Sequence, residues 1–433
     1  MKALLVNPYI HDVSAYDFWL KPVGLLYIAK ALRVSNFDVK LLDLLDRNLS
    51  GNDAHDGPFG TGKFHSEIIG SLKTYGIPRY MKRYGAPLSI FDEIDFDPDV
   101  ILVTSMMTYW YGGVFETIKL LKERFNVPVI LGGNYVTLLP NHAKQSGADF
   151  VISGDGIPKI YEVLEKIFRK KIPEPVGIDW FEKITPDYSL YDKLDAAVVH
   201  TTYGCPFRCT YCVAWQRGFK SRSVGSVIEE IESLKRMGIK DLAFYDDAIL
   251  VDKVRFKEIL KALPSGIRYH LPNGIHAIYV DEEIAALMMK KNFKTIRIGY
   301  ETGDPYLQKQ TGGKVTNAAF EKAVDILKNN GFTHKELGAY LIIGLPGQTF
   351  ESAMEDIKSV IDLGVKPFLN EYTLIPGSVD WEEAVSKGEV SKDVDPLVLK
   401  GALIHYWWKN SMGIKRIEKI KRKVQEFYLS DRL

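Results

Sequence analysis

The stretch Thr201–Trp215, TTYGCPFRCTYCVAW, holds all three cysteines of the chain, Cys205, Cys209 and Cys212, in a CxxxCxxC spacing. It follows directly on Ala197–Thr201, an apolar run that reads as a β-strand. A compact loop at a strand end can point three thiolates inward at one iron–sulfur cubane, each holding one iron. The fourth iron then has no protein ligand, and an open position on a metal centre is where a substrate or cofactor binds. Structural zinc normally takes four protein ligands. With no fourth cysteine, a histidine such as His200 would have to complete a Cys₃His set. Thiols that hold no metal are the remaining alternative.

Working outward, further strands are expected at Leu242–Tyr245, Arg268–Leu271, Thr295–Tyr300, Gly338–Ile343 and Phe368–Thr373, separated by helical runs. Six such units predict a partial parallel (β/α)6 TIM-type barrel rather than a complete eight-stranded one. After Pro376 the pattern turns helical. It includes an aromatic segment, His405–Trp408 (HYWW), and a basic one, Lys415–Lys423. In the latter, Ile417, Ile420 and Val424 recur at helical spacing, so the basic residues read as a solvated helix face.

Towards the amino terminus, β-rich runs at Ala3–Val6, Val39–Leu42, Val100–Thr104, Val129–Leu131 and Phe150–Ile152 alternate with amphipathic stretches at Val23–Leu32, Val114–Arg124 and Pro158–Phe168. That alternation predicts a doubly wound parallel α/β sheet. Residues 47–95 interrupt it as a long functional loop or small subdomain. Pro173, Pro175 and Pro186 mark a link between domains. The expected division is 1–175, then 190–380, then a helical region 381–433. Gly57–Phe64 (GPFGTGKF) fits the spacing of a phosphate-binding GxxxxGK loop. Phe64 replaces the magnesium-holding Ser or Thr, and no apolar strand precedes it, so a nucleotide hydrolase is rejected.

The chain has 433 residues, 46% hydrophobic and 26% charged, with a net charge of +1, which speaks against a nucleic-acid partner. No apolar run approaches a membrane span. With three clustered thiols and no disulfide framework, a reducing, cytoplasmic setting is expected.

CxxxCxxC with an aromatic, Tyr211, before its last cysteine, at the end of the first strand of a partial barrel, resembles the radical S-adenosylmethionine (SAM) superfamily. The resemblance spans about residues 195–380. It implies a 4Fe-4S cluster on Cys205, Cys209 and Cys212, whose open iron is chelated by SAM and whose electron cleaves SAM to a 5′-deoxyadenosyl radical. It further implies that Glu301, in RIGYETGD, meets the ribose hydroxyls. Gly344, Leu345 and Pro346, in GAYLIIGLPGQT, would lie along the adenine, and Tyr372, in LNEYTLIPG, would close the sixth strand beside SAM. Asp246 and Asp247 end the second strand; they belong either to this site or to the N-cap of the next helix.

A flavodoxin-like sheet beside such a barrel is similar to the cobalamin-binding radical SAM subfamily. The matching segments are Lys21–Arg33 (KPVGLLYIAKALR), Gly132–Pro140 (GGNYVTLLP) and Ser153–Leu164 (SGDGIPKIYEVL). By that resemblance Thr104, Ser105, Trp110, Gly132, Gly133, Asn134, Tyr135, Gly154 and Asp155 would cradle cobalamin, the glycines permitting close backbone approach. Met107 and Tyr109 are further candidates for its lower face. No DxHxxG stands after the first strand, where the sequence is NPYIHDVSA, so no histidine is expected on the cobalt and His11 reads as a loop histidine.

These readings make the chain an enzyme, a cobalamin-dependent methyltransferase acting on an unactivated carbon. The implied partners are an electron donor such as flavodoxin or ferredoxin and a small-molecule or peptide substrate. The alternatives are a cobalamin-independent radical SAM reaction, such as cyclisation or rearrangement, and a non-catalytic cluster or cobalamin sensor.

Overall fold

Val100–Val103 is apolar at every position, and Lys2–Asn7 is apolar over its middle four. Such runs form strands covered on both faces, because neither side of the pleat tolerates water. In the computed structural model, which describes residues 1–49, 55–174 and 179–429, they lie at the centre of a parallel sheet. Its strands are β1 (Lys2–Asn7), β2 (Asp38–Asp43), β3 (Val100–Val103), β4 (Val129–Leu131) and β5 (Phe150–Val151), in the order β5-β4-β3-β1-β2. This is the flavodoxin-like order, and its direction reverses between β1 and β3. Helices Val23–Val34 and Gly156–Phe168 cover one face through Leu25, Ala29, Leu32, Ile160 and Leu164. Helix Tyr111–Arg124 covers the other through Val114, Ile118 and Leu121.

The 47–95 insertion, apart from undescribed residues 50–54, contributes an antiparallel sheet in which Tyr80–Tyr84 pairs with Ser66–Ser71 on one side and Ile10–Asp12 on the other. His11 is therefore a strand residue rather than a loop one. Gly57–Phe64 forms a single 3₁₀ turn and a two-residue strand; no helix follows whose amino terminus could receive phosphate.

The chain divides into two units, Met1–Asp195 and Ala196–Leu433. Of the proline-rich link, residues 175–178 lie outside the described ones. The residues after it are tied back to the first unit: Arg33 pairs with Asp187 at 2.8 Å and Tyr191 Oη donates to Asp43 at 2.6 Å. The division accordingly falls after Asp195.

The second unit is built on six parallel strands in sequential order, the arrangement of a partial barrel: β6 (Ala196–Val199), β7 (Asp241–Phe244), β8 (Arg268–Ile275), β9 (Phe293–Glu301), β10 (Leu337–Ile343) and β11 (Lys366–Glu371). The helices between them start on Ser223, Asp252, Asp281, Thr316 and Thr349, whose side chains accept backbone N–H groups of the first turn. Beyond β11, helix Ile414–Leu429 buries Ile417, Ile420 and Val424, as the periodicity predicts. Among the described residues no helix is long and apolar enough to cross a membrane.

Candidate functional site

Strand β6 delivers the chain to the cysteine turn. Cys212 N donates to Cys209 O at 3.1 Å, Ala214 N to Cys212 Sγ at 3.4 Å, and the Trp215 indole to Cys212 O at 3.0 Å. Thr210, between the last two cysteines, is gripped from two sides. Its N–H donates to Thr311 O at 3.4 Å, and its carbonyl accepts from Asp380 N at 3.1 Å. Tyr372 Oη holds the Asp380 carboxylate at 2.8 Å. The Thr311–Lys314 loop approaches this closely because residue 312 is glycine at φ +112°: a Cβ there would stand 3.0 Å from Arg208 O and 3.1 Å from Cys209 Cα.

All three cysteines are unpaired. Burial pushes the Cys205 thiol up to about 11 and raises Cys209 and Cys212 as well. Iron must displace those protons, and the thiolates' mutual repulsion, a further cause of the rise at Cys205, is relieved by a cationic metal core. Among the described residues no three His, Cys, Asp or Glu side chains converge tightly enough for a single ion. His200 packs against Tyr245 at 6.4 Å, and burial lowers it to about 4. A cubane asks for something different, one thiolate at each of three corners, which three free cysteines within one turn can supply.

Glu301 ends β9 at φ +67° and pairs with Lys314 at 2.7 Å, both side chains largely buried. Lys314 Nζ also lies 5.9 Å from the Tyr211 ring centroid. Burial alone would depress the Lys314 ammonium, but Glu301 and the neighbouring thiols outweigh it and raise it. Lys314 is a site residue the sequence reading missed; its one signal was the pair of glycines that carries it to the cysteine turn.

Gly344 sits at φ +85°, its N–H donating to Gln348 Oε1 at 2.8 Å; His405 lies so close that a Cβ on Gly344 would be 2.9 Å from its Nε2. Leu345 is buried in an apolar cluster with Tyr372, Trp381 and Trp408, against which Tyr211 packs; Pro346 is half-buried beside it. The Tyr372 ring stacks on Trp408 at 5.7 Å, its hydroxyl is engaged by Asp380 and its N–H donates to Ile343 O at 2.9 Å. Asp246 is not a helix cap. Its carboxylate accepts from the backbone and hydroxyls of Thr201 and Thr202, while Asp252 caps the following helix. Asp247, next to it in sequence, is half-buried, its carboxyl raised by desolvation.

In the first unit the candidate residues gather at the carboxyl ends of β3, β4 and β5. Thr104 N donates to Val6 O at 3.1 Å. Ser105 Oγ donates to Gly132 O at 2.7 Å, and Asn134 N to Ser105 O at 2.9 Å. Thr137 Oγ1 donates to Gly133 O at 3.0 Å and accepts from Gly154 N at 3.0 Å, joining the two glycine turns. Gly133, at φ +104°, is required by this knot: a Cβ would stand 2.6 Å from Ser105 N, so its reason is the fold itself. At Gly132 a Cβ would make only an ordinary contact, with Ile152 O at 3.8 Å, and at Gly154 it would displace only the movable Lys159 ammonium at 3.2 Å, although φ +84° itself favours glycine there. Gly154, Asn134, Met107 and Asp155 are exposed, the last accepting from the Trp180 indole at 2.9 Å.

Two side chains turn away from a cradle. Tyr135 is fully buried with its hydroxyl 2.5 Å from His142 Nδ1, and the Trp110 indole donates to Asp12 at 2.6 Å, with Tyr109 edge-on at 5.8 Å. His11 is bound to Glu116 at 2.8 Å. Open backbone at Gly132 and Gly154, at the ends of a flavodoxin-like sheet, fits a large flat cofactor approached by main chain.

Comparison with known proteins gives the following. Residues 199–360 match the radical SAM superfamily model and form a radical SAM domain. An uncharacterized methyltransferase of Pyrococcus horikoshii is 26% identical over 401 residues, 84% of this chain and 78% of the relative. The anaerobic magnesium-protoporphyrin IX monomethyl ester cyclase of Rubrivivax gelatinosus is 22% identical over 384 residues, 84% of this chain and 66% of the relative. The structure of the radical SAM methyltransferase TsrM from Kitasatospora setae, with cobalamin and a [4Fe-4S] cluster bound, superposes with a TM-score of 0.65 at 18% identity, covering 92% of this chain and 82% of that one. The fold is thus the one TsrM has, a flavodoxin-like α/β domain followed by a partial barrel that carries the radical SAM domain.

Proposed function

We propose that this chain, whose residues 199–360 form a radical SAM domain, is a cobalamin-dependent methyltransferase that acts on an unactivated carbon. The observation that carries the reading is the cysteine turn at the end of β6, with three unpaired thiols held by Thr311 and Asp380 beside the Glu301–Lys314 pair. When bound, the cluster with SAM supplies one-electron cleavage of a carbon–sulfur bond, and the corrin supplies a methyl carrier.

The chain's own residues do the rest. Cys205, Cys209 and Cys212 would hold three irons as thiolates. Lys314 places a fixed positive charge next to them, and Glu301 keeps it there and would meet the ribose hydroxyls of bound SAM. Leu345, Trp408 and Tyr211 form an apolar wall that excludes water. The main chain at Gly132 and Gly154 would receive the corrin. The likeness to the Pyrococcus methyltransferase and to TsrM supports the methyl-transfer outcome.

The test is anaerobic reconstitution with iron, sulfide and cobalamin, followed by absorbance spectroscopy and assay of 5′-deoxyadenosine from SAM. Bound corrin, a full cluster and SAM cleavage are expected. A full cluster with no corrin replaces this reading by a cobalamin-independent reaction. The Rubrivivax cyclase makes ring closure the first such reaction to try. A full cluster that never cleaves SAM replaces it by a sensor.

A further inference from the structure

Three adjacent strands carry a second cluster, at mid-strand level. Arg297 of β9, Gly338 of β10 and Lys366 of β11 stand side by side in the sheet, and Gly299, Tyr340 and Phe368 form the next rung on the same face. It is the face that bears Glu301: a Cβ on Gly299 would stand 2.9 Å from Glu301 Oε1, and Tyr340 feels both the Glu301 carboxylate and the Arg297 guanidinium. On the opposite face Ile296, Ile298, Ala339 and Leu341 are fully buried. Arg297, Tyr340, Lys366 and Phe368 all keep some exposure, so water enters the lumen side.

Two cations meet there without an acid. The Arg297 guanidinium lies over the Phe368 ring at 4.1 Å; Lys366 Nζ approaches the same ring at 5.8 Å and the Tyr428 ring at 4.6 Å. Tyr428 Oη donates to Pro367 O, which brings the end of the last helix to this edge of the sheet. Gly338 makes the stack possible, because a Cβ would stand 2.5 Å from Phe368 Cε2 and 3.1 Å from Arg297 Cδ. Arg297 donates through Nη1 alone, to Ile296 O at 3.4 Å and Glu336 O at 3.0 Å. That leaves Nε and Nη2, an edge with which arginine grips an oxyanion in two parallel bonds. Among the described residues neither cation has a carboxylate partner. Burial lowers both, and Arg297 lowers Lys366 further. One stacked cation would serve the fold; a second, placed where the first repels it, costs stability unless an anion offsets both.

We propose that Arg297 and Lys366 form an oxyanion-binding site in the barrel lumen, which anchors the carboxylate or phosphoryl group of a small-molecule substrate. Half-buried groups at mid-strand level admit a small molecule rather than a polymer. Glu301 lies four residues further along β9, roughly 13 Å away, with Tyr340 and Phe368 as aromatic walls between. An acid group held at Arg297 thus leaves the rest of the molecule directed at the SAM end of the lumen. The binding of the anion stands by itself; that the bound molecule is the substrate rests on the function proposed above.

The experiment follows thermal melts of the full-length protein as inorganic phosphate, or separately acetate, replaces chloride at constant ionic strength. The wild type should gain stability saturably, and the anion that acts at lower concentration names the group. Lys366 is the position to vary, since it is partly exposed at the start of an edge strand. K366Q should need at least about tenfold more anion for the same shift. K366E, which offers Arg297 a carboxylate of the chain itself, should lose the response. No saturable shift in the wild type, or a shift undiminished in K366Q, overturns the site. A silent wild type beside a responsive chain ending at Leu429 assigns the two cations to Asp431 and overturns it equally. The substrate role is read on reconstituted enzyme with a small-molecule extract chosen because it stimulates 5′-deoxyadenosine formation. The stimulation should be retained by an anion exchanger, and stimulation left in the unretained fraction overturns that role. The melts need no cluster, so a reconstituted wild type that never cleaves SAM refutes the radical reading while a phosphate response that K366Q weakens still upholds the site.

Discussion

Adjacent glycines at the end of β4 separate what the fold needs from what a cofactor needs. Gly133→Ala forces a Cβ to within 2.6 Å of Ser105 N and 2.9 Å of Ser105 Oγ at φ +104°. The left-handed backbone costs about 1–2 kcal/mol and the overpacking about 1–3 kcal/mol more. Together these are a large part of an ordinary domain stability of about 5–15 kcal/mol. Gly132→Ala meets only Ile152 O at 3.8 Å, an ordinary contact at a φ that any residue adopts, so stability should stay within about 1 kcal/mol of wild type. If main chain at Gly132 meets the corrin, the same methyl costs about 1–3 kcal/mol there, roughly a 5- to 150-fold weaker affinity. Equilibrium dialysis of cobalamin beside thermal melts reads both quantities. A Gly132→Ala protein that melts as wild type and binds cobalamin with unchanged affinity refutes the cradle. One that melts early refutes the steric argument.

Four further outcomes follow from the same geometry. Cys209→Ala should leave the secondary structure intact by circular dichroism while abolishing 5′-deoxyadenosine formation, and near-normal formation would sink the cluster assignment. Glu301→Ala should weaken SAM roughly ten- to a hundredfold and, by stranding the Lys314 ammonium, destabilise the unit by up to about 3–5 kcal/mol. The Glu301→Gln/Lys314→Met double variant should recover much of that stability, and strictly additive melts would show that the pair is not coupled. Asp356 accepts from Thr302 Oγ1 at 2.8 Å, and burial pushes it up to about 6 from 3.8, so the native state holds a proton that the unfolded chain releases. Stability should therefore fall by roughly 3 kcal/mol as pH rises from about 4 to 6, and an equal slope in Asp356→Asn would place its origin elsewhere. With His11 engaged by Glu116 at 2.8 Å, the Co(II) form should show no axial nitrogen splitting in electron paramagnetic resonance; a clear splitting would make His11 or another histidine the ligand to test.

Both parallel sheets were legible in the chain because their strands are short apolar runs set between amphipathic helices, a pattern local enough to read one segment at a time. The cysteine spacing was legible for the same reason: three ligands within eight residues need no distant partner. What the sequence could not settle were contacts made across the chain. Nothing local pairs Lys314 with Glu301, brings Asp380 to Thr210, lays His405 on Gly344 or turns Tyr135 into the core beside His142. Nor does a glycine's letter say whether its missing side chain makes room for a ligand, as Gly132 allows, or for the protein's own backbone, as Gly133 requires. Strands and ligand spacings depend on residues adjacent in sequence, which patterning records. Ion pairs, stacking and steric room depend on which atoms long-range packing brings within a few ångströms, and only the tertiary structure decides that.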